Sequence, residues 1–91
     1  MNFTVKFTKK SKKQLQKMDK HTALLITGWL RKNIENCTDP YKHGKGLTAN
    51  HRGQWRYRVG NYRIIAEIQD EKVIVLVVSI GHRKDIYKNI Q

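Results

Sequence analysis

Three arginines fall on one face of one hairpin in this chain. The run Trp55-Arg56-Tyr57-Arg58-Val59 alternates apolar and basic residues with the period of a β-strand, and Gly60-Asn61 is a two-residue turn signal ahead of Tyr62-Arg63-Ile64-Ile65. A tight turn there sets Val59 opposite Tyr62 and Arg58 opposite Arg63, with Arg56 two residues along on the same side. Like charges facing each other weaken a sheet, so a sequence that keeps them there points to an anion to be held. Guanidinium forks match phosphate oxygens more specifically than a point-charge ammonium, and arginine at all three positions predicts a clamp for a phosphate backbone rather than a merely solvated face. Arg83 and Tyr87 follow Gly81 and lie four apart, on one side of a short terminal helix. From the end of a strand Arg83 can reach the same sheet face, and Tyr87 brings a flat ring and a hydroxyl. Phosphate beside a stacking surface suits RNA or single-stranded nucleic acid.

Further candidates lie outside the hairpin. Lys9, Lys10, Lys13 and Lys17 crowd one short segment; they are either the wet face of a helix or a set of contacts to a large phosphate-rich surface, which need charge but little geometry. His82 is the nearby side chain that titrates close to neutrality, so it is a candidate for proton transfer, with packing at a strand end as the alternative. Metal chemistry finds no support: His21, His43, His51 and His82 are scattered, and the acids offer only the adjacent pair Asp70-Glu71 in a turn. No glycine-rich phosphate loop and no activated serine or cysteine is present. Cys37 is the single cysteine, which excludes an internal disulfide and a cysteine-rich zinc site. No cofactor is expected.

The totals narrow the partners. Ninety-one residues build one domain, 1–91, with one core. Nineteen Lys and Arg against seven Asp and Glu give a formal charge of +12, which draws the chain to polyanions, nucleic acid first and an acidic protein second. No run approaches eighteen apolar residues and no signal-like segment opens the chain, so a soluble protein of the reducing cytoplasm, without membrane contact, is expected.

The elements that must position these residues follow from patterning. Phe3, Val5 and Phe7 alternate with polar residues and predict an opening strand. Thr8 can cap a helix from Lys9 to about Met18, with Ser11, Leu15 and Met18 on its inner side. Asp19 can cap a second from Lys20 to about Asn36, buried through Ala23, Ile26, Leu30 and Ile34 with Trp29 on the flank. Residues 37–53, with Pro40, Gly44 and Gly46, form the main loop. Three strands then follow as an antiparallel meander, the last from Lys72 to Ile80 after a turn at Asp70-Glu71. The stretch Val73 to Val78 is apolar at both parities and predicts a central strand covered on both faces. Trp55, Tyr57, Val59, Ile64, Ala66 and Ile68 should face the helices, and the arginines should face away. His82 to Ile90 predicts a short last helix, and the fold class is α+β.

The run Gly53 to Ile65, then Val75 to Ser79, then Gly81-His82-Arg83-Lys84-Asp85-Ile86-Tyr87, resembles the RelE/ParE toxin superfamily, and more closely the RelE-type mRNA interferases of bacterial type II toxin–antitoxin modules. The resemblance extends over nearly the whole chain, and the predicted element order agrees with it. It implies a compact RelE-like, microbial-RNase-like fold. It also implies a toxin that enters the ribosomal A site and cuts mRNA there, held inactive by an acidic cognate antitoxin, with operator DNA bound only through the antitoxin complex. Carried over residue by residue, Arg56 and Arg58 fall on the basic pair of the family's strand, Arg63 on its phosphate-contacting arginine, Arg83 on the arginine beyond the last strand and Tyr87 on the terminal tyrosine. The implied reaction is metal-independent attack of the RNA 2′-hydroxyl on the adjacent phosphate. Arg63 and Arg58 would hold the phosphate, Arg56 would support the field, and Arg83 would meet the developing charge or the leaving oxygen. Three departures stand out: Thr48-Ala49 where relatives often carry a basic residue and glycine, Asn61 where they often carry aspartate, and arginine at 56 and 58 where some relatives have lysine. An arginine, with a pKa above ~12, is a poor proton acceptor. The alternatives are a ParE-like gyrase inhibitor and a non-catalytic RNA- or DNA-binding regulator.

Overall fold

The computed structural model describes residues 2–46 and 54–86. Its elements are β1 (Thr4–Phe7), α1 (Lys9–Lys17), α2 (Lys20–Asn33), β2 (Lys45–Gly46), β3 (Gln54–Val59), β4 (Tyr62–Gln69), β5 (Ile74–His82) and α3 (Arg83–Ile86). The strands form one mixed sheet in the order β1-β5-β4-β3-β2, antiparallel except for β1, which runs parallel to β5. The class is α+β, as the patterning predicts.

Both helices start where their caps are written. The Thr8 hydroxyl accepts the Ser11 N–H at 3.1 Å, and the Asp19 carboxylate accepts the Thr22 N–H at 3.0 Å and the Thr22 hydroxyl at 2.6 Å. Those bonds from Thr22 hold the Asp19 carboxyl below its ordinary range. Ile26, Leu30 and Ile34 recur at helical spacing and are buried against Tyr57, Ile64, Ala66, Ile68, Val75, Val77 and Ile80 of the sheet. The second helix ends earlier than predicted, at Asn33, because Asn36 takes a positive φ of 65° and turns the chain back to β1. There Phe3 and residues 36–37 exchange backbone hydrogen bonds, and the Glu35 carboxylate accepts the Val5 N–H at 2.9 Å on the outer edge of β1.

Three expectations need correction. The sheet has an additional strand, β2, inside what reads as loop: its two residues pair with Trp55 and Arg56. The last strand begins at Ile74 rather than Lys72, because Asp70–Lys72 make a 3-10 turn and Val73 takes a left-handed conformation. That strand is interior but only half covered on its second face: Val75 and Val77 are buried, whereas Ile74, Leu76 and Val78 are half-buried. The last helix covers Arg83–Ile86; the rest of its predicted span, with Tyr87, lies outside the described residues.

β1 covers only the first half of β5, and α1 takes over beyond it. The Ser11 hydroxyl donates to the Val77 carbonyl at 2.9 Å and the Gln14 carbonyl oxygen accepts the Ile80 N–H at 2.7 Å, so side chains replace the missing neighbouring strand. A bulge between β4 and β5 shifts the pairing: Ile65 faces Ser79 and Ala66 faces Val77.

Tyr57 lies at the centre of the core with no exposed surface, and its hydroxyl donates to the Pro40 carbonyl at 2.7 Å. Burial pushes its phenol pKa up. Tyr57→Phe should cost about 1–3 kcal/mol, because it orphans a buried carbonyl. Since the folded pKa is raised, the unfolded chain releases this proton first, and wild-type stability should fall as pH rises above ~10. Urea melts from pH 8 to 11 should show that fall, and a smaller one in Tyr57→Phe.

Candidate active site

The hairpin closes in the anticipated register, with Val59 against Tyr62 and Arg58 against Arg63. Gly60 carries the positive φ of 59° that a glycine-first hairpin turn requires. Every side chain is thereby assigned a face. Trp55, Tyr57 and Val59 pack toward the helices together with Ile64, Ala66 and Ile68. Arg56, Arg58 and Arg63 face the other way and line one cavity of about 420 Å³ together with Gly44 and Lys45. Paired residues share a face, so two rows cross this floor: Lys45, Arg56, Ile65, Ser79 and, beside it, Arg58, Arg63, Gly81. Arg56 and Arg63 are half-buried and Arg58 is exposed. Nη1 of Arg63 donates to the carbonyls of Gly60 and Tyr62, both at 3.2 Å, which holds one nitrogen of the fork against the turn.

Lys45 is the site residue that patterning missed. It arrives through a segment fastened at several points to the helix side of β3. The Trp55 indole donates to the His43 carbonyl at 2.6 Å, Tyr41 packs edge-on against Trp55 at 5.0 Å, and His43 packs edge-on against Trp29 at 5.7 Å. The Tyr41 hydroxyl donates to Asp70 at 2.7 Å; burial, and then that bond, push its pKa up to about 12. Gly44 closes the approach. Its φ is 78°, and any Cβ there would collide with the Arg56 carbonyl oxygen. The signal was the Gly44-Lys45-Gly46 triplet, which reads as loop until its glycines are understood as permitting backbone contact.

The other candidates divide. Arg83 opens α3 at the hairpin tip, its N–H donating to the Asn61 carbonyl at 2.8 Å, and its side chain is exposed. Its backbone is thus fixed at the hairpin turn, and its side chain is not among the described residues that line the arginine cavity. Ile86 anchors α3 by packing over Gly81, where a Cβ would come within 3.3 Å of its Cδ1. His82 points to the opposite side of the sheet. It pairs with Tyr62, packs edge-on against that ring at 5.6 Å, and its Nδ1 accepts the Lys84 N–H at 3.2 Å. The packing alternative describes it. Lys9, Lys10, Lys13 and Lys17 line a separate, open depression on α1 with Gln14. The Gln14 amide donates to the Ser79 hydroxyl at 3.3 Å, so this basic surface adjoins the far end of the Lys45–Arg56–Ile65–Ser79 row. Among the described residues no three of His, Cys, Asp and Glu gather as metal ligands, and no helix is long and apolar enough to cross a membrane.

This fold, a helical hairpin packed on one face of a mixed sheet, is shared with solved RelE toxins. The isolated RelE toxin of Escherichia coli matches with a TM-score of 0.69 over 94% of this chain and 92% of its own, at 20% identity. A chain of the Mycobacterium tuberculosis toxin–antitoxin complex RelBE2 matches with a TM-score of 0.81 over 93% of this chain and 95% of its own, at 26% identity. In sequence, Toxin RelG of M. tuberculosis is 28% identical over 88 residues, covering 97% of this chain and 99% of the relative. The family model of the ParE toxin of the type II toxin–antitoxin system parDE matches residues 5–87. The chain therefore belongs to the ParE toxin family of type II toxin–antitoxin systems, within the RelE/ParE toxin superfamily.

The Arg58–Arg63 pair should cost stability in the free protein. Arg58→Thr is expected to raise unfolding free energy by about 0.2–1 kcal/mol at low salt, the gain shrinking as salt screens the pair. The same change should weaken binding of a short RNA. Parallel thermal melts and fluorescence titrations check both halves.

Proposed function

We propose that this chain is the toxin of a type II pair that cuts mRNA in the ribosomal A site as a metal-independent endoribonuclease. One observation carries the reading: Lys45, Arg56, Arg58 and Arg63, brought from three strands, line a single cavity on the face away from the core. Attack by a neighbouring 2′-hydroxyl needs in-line alignment and stabilisation of the extra negative charge on the phosphorane. Preorganised guanidinium groups supply the second. Arg63 and Arg58 grip the phosphate, Arg56 adds to the field, and Arg83, at the hairpin tip, meets the charge that develops. Tyr87, by resemblance, positions the nucleotide.

Such a set is rich in charge and poor in proton acceptors, which favours dependence on a scaffold that aligns the message. The ribosome supplies that alignment, and the lysines of α1 supply contacts to its phosphate-rich surface. The net charge of +12 favours an acidic antitoxin as the neutralising partner. The M. tuberculosis and E. coli relatives crystallised as toxin–antitoxin complexes support this, and operator DNA would be reached only through such a complex. The protein would act in the cytoplasm, where ribosomes are.

The ParE description of the matching family favours a second reading, a gyrase inhibitor. The two separate cleanly. Expression without antitoxin should yield mRNA fragments whose ends map within translated codons, while purified protein leaves gyrase supercoiling unaffected. Inhibited supercoiling with intact message would select the second reading. Arg83→Ala should slow message cleavage by about 10²–10³-fold, as loss of one charge-stabilising donor does, with its melting temperature unchanged. Naked RNA should be cut poorly.

A further inference from the structure

Resting on the reading of the site as an RNA-cleaving centre, we propose that Lys45 is the general acid that protonates the leaving 5′-oxygen. Leaving-group departure needs a proton donor, and among the described residues the cavity offers few. Those that line it are Gly44, Lys45, Arg56, Arg58 and Arg63. Guanidinium groups do not give up a proton near neutrality. His82 faces the other side of the sheet, and Tyr41 and Tyr57 have their hydroxyls committed to Asp70 and the Pro40 carbonyl. Among the described lining residues Lys45 is the primary amine. Unlike the guanidinium groups beside it, a lysine ammonium is among the side-chain groups that serve in general acid–base catalysis.

Its placement fits the geometry of displacement. The attacking and leaving oxygens of an in-line reaction stand on opposite sides of phosphorus. Arg56 and Arg58 lie on the middle strand of the cavity floor, Arg63 flanks them on β4, and Lys45 flanks them on β2. A phosphate seated on β3 therefore has a fixed guanidinium on one flank and a proton donor on the other. Lys45 is held there by its ladder pairing with Arg56, by the close approach of Gly44 to the Arg56 carbonyl and by the Trp55 hydrogen bond to His43, so its backbone is set by β3. The step balances as a transesterification. The 2′-hydroxyl loses its proton to water or a ribosomal base, and the 2′-oxygen bonds to phosphorus. The P–O5′ bond then breaks with its electron pair on the 5′-oxygen, which takes a proton from Nζ of Lys45. The products are a 2′,3′-cyclic phosphate and a 5′-hydroxyl, and solvent reprotonates the amine.

The test is single-turnover cleavage of ribosome-bound message by wild type, Lys45→Ala and Lys45→Arg, on matched messages with a bridging 5′-oxygen or a bridging 5′-sulfur at the scissile linkage. A thiolate leaves without a proton, so removing a general acid matters only for the oxygen substrate. Lys45→Ala should be slowed by 10²-fold or more on oxygen, within the range for lost acid catalysis, and little on sulfur. Lys45→Arg keeps the charge and should also fail on oxygen. Equal slowing on both substrates, full activity of Lys45→Arg, or no effect of either variant would each overturn the proposal while leaving the cleavage reading intact. Failure of wild type to cut either message would overturn the cleavage reading itself, and this assignment with it. Thermal melts verify that both variants fold, and ribosome co-sedimentation verifies that they still bind.

Discussion

The register of the β3–β4 hairpin is the constraint on which the remaining structure depends. Side chains alternate faces along a strand, so a slip of one residue would send Trp55 and Tyr57 to solvent and Arg56 and Arg58 into the core. Burying those guanidinium groups without partners would be far more costly than any sheet distortion. Gly60 at the turn and the fully buried Tyr57 thus select one pairing between them. The same selection that builds the core gathers the cations. Stability and function are not separate regions of this protein but opposite faces of two strands.

The helix side of the sheet also organises the cavity side through the segment leading to β2. Tyr41, His43 and Trp29 grip Trp55 and Tyr57 from the core side, and the chain then crosses the edge of β3 at Gly44 to deliver Lys45 opposite Arg56. Aromatic packing, which is insensitive to salt, therefore holds in place a group of charges that would otherwise repel. At the other end, Ile86 over Gly81 and the Arg83 N–H on Asn61 fasten α3 to the hairpin by one apolar and one polar contact.

What was legible in the sequence was what is periodic or local. Alternation in Trp55–Val59 revealed both faces of β3, the Gly60-Asn61 pair revealed the turn, and Thr8 and Asp19 marked helix starts through bonds made within three residues. The pairing of β1 with β5 joins residues about seventy apart and leaves no local trace. The two-residue β2 is too short to have a period, so Lys45 stayed invisible until Gly44 was seen pressed against β3. The face that His82 takes was hidden for a related reason. The bulge opposite Ile65 and Ala66 leaves Val78 of β5 as an extra, unpaired residue and changes which parity of that strand points toward the helices, and an apolar run gives no sign of where the insertion falls.

That bulge also partitions the longest strand into two segments of opposite parity. Below it, odd positions such as Val75 and Val77 fill the interior; above it, even positions such as Ile80 do, which leaves Gly81 beside Arg63. One unpaired residue therefore lets a single strand fill the interior from both of its ends and still lay a bare glycine backbone beside a guanidinium on the opposite face.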